Sequence, residues 1–157
     1  MSASTGVTGF VRAAWLANDA LRSDTDIIFF GEVRFSQEAE IVVNKAPADA
    51  LVITTIHASG VDTAVERLVL LSNEKSGGAE AAAKMVASAL SIVLHLDLST
   101  QPVRGGNSTK VLRIRPLIVN GDSAHGIRAA IRDRRFSELT STSKLQIAQL
   151  TNRRSLF

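Results

Sequence analysis

Two apolar runs of strand length, each followed by a titratable side chain, constrain this chain more than any other feature. The first is Ile27-Ile28-Phe29-Phe30, followed by Gly31, Glu32, Val33 and Arg34. The second is Leu51-Val52-Ile53-Thr54-Thr55-Ile56, followed by His57. Short apolar runs bounded by polar or turn residues predict strands buried in a parallel sheet. Between them Ser36 is a candidate N-cap for a helix over 37–46. Pro47 ends that helix, because proline disfavours helical geometry in the residue before it. Strand, helix and strand in this order predict a βαβ unit with a right-handed crossover. Ligands of open α/β sheets lie at the carboxyl ends of the strands. Glu32 and His57 are therefore expected at one edge of the sheet, facing one site.

The flanking segments read as support. Phe10, Ala13, Ala14, Ala17, Ala20 and Leu21 recur at helical spacing, so residues 10–22 predict an amphipathic helix with Thr8 as N-cap. A turn at 58–60 leads into a helix over 62–71, a loop over 72–78 and a helix over 79–94 rich in Ala, Leu and Met. Residues 94–98 alternate as a half-buried strand does. A turn with Pro102, Gly105 and Gly106 follows. Residues 111–119 alternate again, and Pro116 marks an edge strand. Two basic helices are expected over 124–132 and 136–150. The fold class expected is α/β: a parallel sheet with flanking helices over residues 1–98, then a C-terminal β-hairpin and basic helical appendage over 99–157.

Composition narrows the function. A chain of 157 residues can bury a real core. The absence of cysteine excludes a disulfide framework and a thiolate metal site. The first residues lack the charged and apolar regions of a signal peptide, and no apolar run approaches the roughly 18 residues that span a bilayer. A cytoplasmic location is expected. Charge is uneven: residues 1–100 carry 7 Lys+Arg against 12 Asp+Glu, a balance of −5, and residues 101–157 carry 11 against 3, a balance of +8. Without interleaved aromatics or a nucleic-acid motif, the basic segment reads as a face meeting an acidic neighbour, and nucleic acid is not the expected partner.

The strand ends carry the chemistry. Phosphoryl transfer relies on positioning and electrostatics, and P-loop NTPases place an acidic residue after a buried strand to act on Mg²⁺ or water. Glu32 suits that role, with Gly31 allowing close backbone approach; a surface carboxylate at a strand end is the plainer alternative. His57 reads either as a phosphate sensor or as a histidine satisfied in a polar loop. His95 and His125 have no partners at metal-ligand spacing and read as structural.

Taken together, the residues resemble a family. Asp26-Ile27-Ile28-Phe29-Phe30-Gly31-Glu32-Val33-Arg34 resembles the Walker B segment of the secretion motor ATPases, which serve type II secretion, type IV pili and conjugation-type type IV secretion. Leu51-Val52-Ile53-Thr54-Thr55-Ile56-His57-Ala58 resembles their histidine box. Phe10 with Ala20-Leu21-Arg22-Ser23-Asp24-Thr25-Asp26, and later Ala64, Arg67 and Leu68, resemble the flanking family patterns. The two motifs in register, with a helix between, are more specific than either alone. The resemblance implies a partial RecA-like P-loop NTPase core. It implies that Glu32 activates water and that His57 lies near the nucleotide phosphates and couples them to the subunit interface. Arg22 and Arg34 match basic positions near the nucleotide or the subunit contact. ATP and Mg²⁺ are implied, with a homo-hexamer or a P-loop-bearing partner chain. Inner-membrane secretion or pilus platform proteins are implied partners, with a cytoplasmic location or a peripheral one at the inner membrane.

The departures are specific. Phe35 stands where the family has Asp after the arginine, removing a polar link. Ala48-Asp49-Ala50 replaces Thr-Gly-His before the second strand. The run Gly-x-x-x-x-Gly-Lys-Ser/Thr, whose backbone N–H groups and lysine grip phosphates, is absent, and no lysine follows a glycine. The short stretch before Ile27 leaves no room for it, so the chain is expected to be the C-terminal half of a motor domain, inactive alone. The alternative is an inactive truncated relative that only binds a ring or a secretion partner. A sheet without its P-loop strand is expected to expose apolar edges and to self-associate. The purified chain is expected not to shift a DNA duplex at low ionic strength, where phosphate contacts are strongest; a salt-sensitive shift in an electrophoretic assay would contradict this.

Overall fold

The computed structural model describes residues 26–45, 50–103 and 107–154. The expected helix over 10–22, its cap Thr8, Arg22, Pro47 and the Gly105-Gly106 turn lie outside these residues. The elements are β1 (Ile27–Glu32), α1 (Ser36–Lys45), β2 (Leu51–Thr55), α2 (Val61–Ser76), α3 (Ala79–Ala89), β3 (Ile92–Pro102), β4 (Ser108–Ile118), a 3-10 turn (Gly121–Ser123), α4 (Ala124–Arg132) and α5 (Ser137–Arg154). They form two compact units. One contains 26–57 and 67–89 of the described residues, the other 58–66 and 90–154, so α2 contributes to both. The strand β3 crosses the 98/99 boundary expected from the sequence.

In the first unit β1 and β2 pair in parallel, as the two apolar runs predict. The register sets Ile27 beside Leu51, Ile28 beside Val52, Phe29 beside Ile53 and Phe30 beside Thr54. Because side chains alternate along a strand, Phe30 and Val52 turn one way, onto Val33, Ala39 and Val42, with Ile56, Leu68 and Leu71 packed around them. The helix α1 thus covers one face of the pair and packs in turn against α3. The alanines Ala82, Ala83 and Ala87, with Val86, are buried on α3; small side chains let helices approach closely.

The opposite face is not covered by the described residues. Phe29 is 72% exposed, and Ile27, Leu51 and Ile53 are about half exposed. A two-stranded sheet is marginal on its own, so the first unit depends on the α1 side of the pair.

Several boundaries differ from the sequence expectation for local reasons. Ser36 is the first helical residue of α1 and Phe35 takes the cap position; the Glu38 carboxylate reaches back to accept from the Phe35 N–H at 3.0 Å, the reciprocal half of a capping box. The helix α2 runs through the expected loop to Ser76. Ser72 and Ser76 donate to carbonyls one turn back, at 2.8 and 2.7 Å, so these hydroxyls do not disrupt the helix. It stops at Gly77 and Gly78, whose positive φ angles suit glycine. The helix α3 ends at Ala89, short of residue 94, because Ile92 and Val93 pair across to Ile118 and Leu117.

In the second unit β3 and β4 form an antiparallel hairpin of 11 residues on each strand. Pro116 lies on the outer edge of β4, where the ladder needs no N–H. Side chains of α5 complete that edge. Ser143 donates to the Pro116 carbonyl at 2.7 Å, and the Gln146 amide both accepts from the Ile118 N–H and donates to its carbonyl, each at 2.9 Å. Leu117, Val119, Ile127, Ile131 and Leu139 are buried in this unit. On the hairpin's other face Ile92, Leu94, Leu96, Leu98, Leu112 and Ile114 are each more than half exposed.

Exposed apolar sheet faces favour association. The double variant Phe29→Ser, Ile53→Thr, which changes one cross-strand pair on the uncovered face, is expected to lower the weight-average mass in sedimentation without lowering Tm. An unchanged mass would place the adhesive surface elsewhere.

Candidate functional site at the carboxyl ends of the parallel strands

The parallel register brings the carboxyl ends of β1 and β2 together, and an irregularity sharpens the meeting. Phe30 pairs with Thr54, but the next pair is Glu32 with Thr55, so Gly31 is an extra residue on β1. This is a bulge, a device that re-aims side chains at the ends of sheets. The hydroxyls of Thr54 and Thr55 both donate to the Gly31 carbonyl at 3.1 Å, which fixes the kink. The Val33 N–H then donates to the Thr55 carbonyl at 2.8 Å. The bulge draws Glu32 one position back, level with Thr55 and within reach of His57. A Cβ at Gly31 would meet nothing within 4 Å. The structure uses this residue for the bulge and its carbonyl, and no atom of the chain crowds the position a Cβ would take.

Around Glu32 gather Arg34, His57 and Arg67. Arg34 Nη2 donates to Glu32 Oε2 at 2.5 Å, and His57 Nε2 lies 3.3 Å from Glu32 Oε1. Glu32 is 22% exposed at its side chain, while His57 is 81% exposed. Arg67, ten positions after His57 and on α2, donates to the His57 carbonyl at 3.0 Å. The hydrogen bond from Arg34 holds the Glu32 carboxyl below its ordinary value of 4.5; desolvation opposes it, and the charges of Arg34, His57 and Arg67 add smaller lowering influences. The same pair raises the Arg34 guanidinium. The carboxylate is therefore ionised at neutral pH and able to accept a hydrogen bond from water.

The structure brings Glu32, Arg34 and His57 together; Arg22 lies outside the described residues. Two contacts were not anticipated. One is Arg67, an isolated cation on the helix after the site loop. The other is Glu38, which accepts from the Arg34 N–H at 2.6 Å as well as from Phe35. Glu38 supplies the polar link after the first motif, and Phe35 points outward, half exposed.

The donor set also tests the fit of a nucleotide and Mg²⁺. Mg²⁺ on a nucleotide takes one or two protein carboxylates with phosphate oxygens and water, and Glu32 is one such group. Among the described residues no three His, Cys, Asp or Glu side chains converge. The phosphate-gripping loop is absent from the sequence. The described residues thus supply one carboxylate toward such a group and no phosphate-gripping loop.

A βαβ unit with an ionised glutamate and a histidine at its carboxyl edge belongs to the α/β class in which the secretion motor ATPases fall. The type II/IV secretion system protein family matches residues 8–134, and the chain belongs to that family. The pilus retraction motor PilT, solved with bound ADP, superposes with a TM-score of 0.68 and 26% identity over 85% of this chain and 36% of PilT. The ATPase DotB of Legionella pneumophila gives 0.64 and 20% identity over 87% of this chain and 34% of DotB, and shares the fold. An uncharacterised Escherichia coli protein, YggR, is 44% identical over 50 residues, 32% of this chain and 15% of that protein. The chain thus spans about a third of the solved motors it matches and less of YggR.

Since folding lowers the Glu32 pKa, the carboxylate adds stability above its unfolded value, and the increment is lost as pH falls through the folded one. The Tm difference between wild type and Glu32→Gln is expected to be full at neutral pH and to close below 4.5. A difference independent of pH would contradict the ionised pairing with Arg34.

Proposed function

We propose that the chain is the C-terminal portion of the motor domain of an ATP-hydrolysing secretion or pilus motor. Glu32 polarises the attacking water, His57 senses the phosphates and relays their state to a subunit boundary, and Arg34 and Arg22 serve the nucleotide or that boundary. The phosphate-gripping loop comes from another segment or from a P-loop-bearing partner chain, and Mg²⁺ and ATP bind only with it in place. The working assembly is a homo-hexamer acting on inner-membrane secretion or pilus platform proteins from the cytoplasmic side. Among the described residues no helix is long and apolar enough to cross a membrane.

One observation carries this reading: the Gly31 bulge seats an ionised Glu32 against Arg34 and His57 at the carboxyl ends of parallel strands. Open α/β sheets bind ligands there, and a fixed anion among cations is what water activation beside phosphate requires. The exposed apolar faces of both sheets favour a second reading, a module that docks on a ring or secretion partner without turnover.

The purified chain alone is expected to show no ATP turnover, and adding a polypeptide that carries the P-loop half is expected to restore turnover that Glu32→Gln removes. Turnover by the chain alone, abolished by Glu32→Gln, would overturn the dependence on a second segment. Binding of the P-loop half with no turnover in any mixture would favour the docking module.

A further inference from the structure

The His57 side chain is poorly held by its own contacts. It is 81% exposed, and its contact with Glu32 spans 3.3 Å. A contact of this length between exposed side chains is weak and is opposed by side-chain entropy. Residues 56–60, between β2 and α2, belong to no strand or helix. Nothing in the sheet ladder therefore fixes the peptide on which the imidazole stands.

Arg67 does. It lies beyond the first turn of α2, where the helix fixes its Cα, and its Nη1 donates to the carbonyl of His57 itself at 3.0 Å. A guanidinium presents a planar fork of donors, and less freedom is lost per hydrogen bond formed than with a lysine. The grip acts on the backbone, so it limits the imidazole without competing for its nitrogens. Its charge also acts on Glu32, behind the larger influences of Arg34 and His57. Arg67 and both side chains of the pair lie in the same compact unit.

We propose that Arg67 is a positioning residue of this site: by holding the His57 carbonyl, it keeps the imidazole opposite Glu32. Its functional weight rests on the reading that Glu32 and His57 act together on phosphate; the positioning itself does not. Loss of Arg67 frees the loop, and His57 and Glu32 then respond to their surroundings separately. The Arg34–Glu32 pair, which bridges β1 and the residues just beyond it, remains.

The test is a mutant cycle on the full 157-residue chain, read by the imidazole ¹³C and ¹⁵N resonances of His57. In the wild-type background Glu32→Gln is expected to shift these resonances. In the Arg67→Gln background the same change is expected to shift them roughly threefold less, or not at all, as for contacts that couple through a shared element. Arg67→Lys, which keeps a donor and a charge, is expected to restore part of the response. Arg67→Met, a good helix former without a donor, gives the same reading should Arg67→Gln disturb the fold, with Tm and the amide resonances of α1 as controls. An undiminished His57 response in a folded Arg67→Gln or Arg67→Met chain would overturn the proposal. Lost coupling in a chain that never supports turnover with a P-loop half keeps the positioning role and removes the motor reading. Intact coupling together with restored turnover does the reverse.

Discussion

The parallel pairing of β1 with β2 is the constraint on which the first unit depends. Register decides which side chains face α1 and which face away, and a slip of one residue would reverse every assignment. The same register decides chemistry, because it sets which residues leave the sheet side by side. At Gly31 the pairing breaks by one residue. The threonine hydroxyls on the Gly31 carbonyl show that the break is stabilised rather than tolerated. Packing and site geometry are thus two outcomes of one alignment, read on its two ends.

The strands were legible because they are continuous β-branched and aromatic runs, a signal that survives without tertiary context. The pairing of Glu32 with His57 at one edge followed from that and from the rule of carboxyl-end sites. The bulge was not legible: Gly31 signals that a departure is allowed, not where the partner strand will take it up. Arg67 and Glu38 were hidden for a similar reason. Each acts on backbone atoms of a loop, and a sequence carries no pattern for which carbonyl or N–H a charged side chain will reach. The ends of α2 and α3 moved because serine back-bonding and cross-strand pairing outweighed local propensity, which is a weak prior.

Alternation along 94–98 and 111–119 predicted half-buried strands, and the structure keeps the alternation but reverses the simplest reading of it. On β3 the aliphatic positions Leu94, Leu96 and Leu98 are the exposed ones, while His95 and Asp97 lie on the more covered face opposite Arg115 and Arg113. Hydropathy identifies the two faces of a strand; it does not say which of them the rest of a given chain reaches. The uncovered faces of β1–β2 and of the hairpin have the composition of interior surface.

The contacts from α5 give the hairpin a polarity. Ser143 and Gln146 occupy the outer edge of β4 at Pro116 and Ile118, and the proline ring removes a ladder donor from the same edge. Among the described residues no strand lies along the outer edge of β3, which offers an 11-residue ladder. A strand joining this hairpin therefore meets a stopped end on one flank and a vacant template on the other. Among the described residues only the β3 flank is left open, so a helix whose contacts reach back 27 and 28 residues along the chain selects the side from which an incoming strand is admitted.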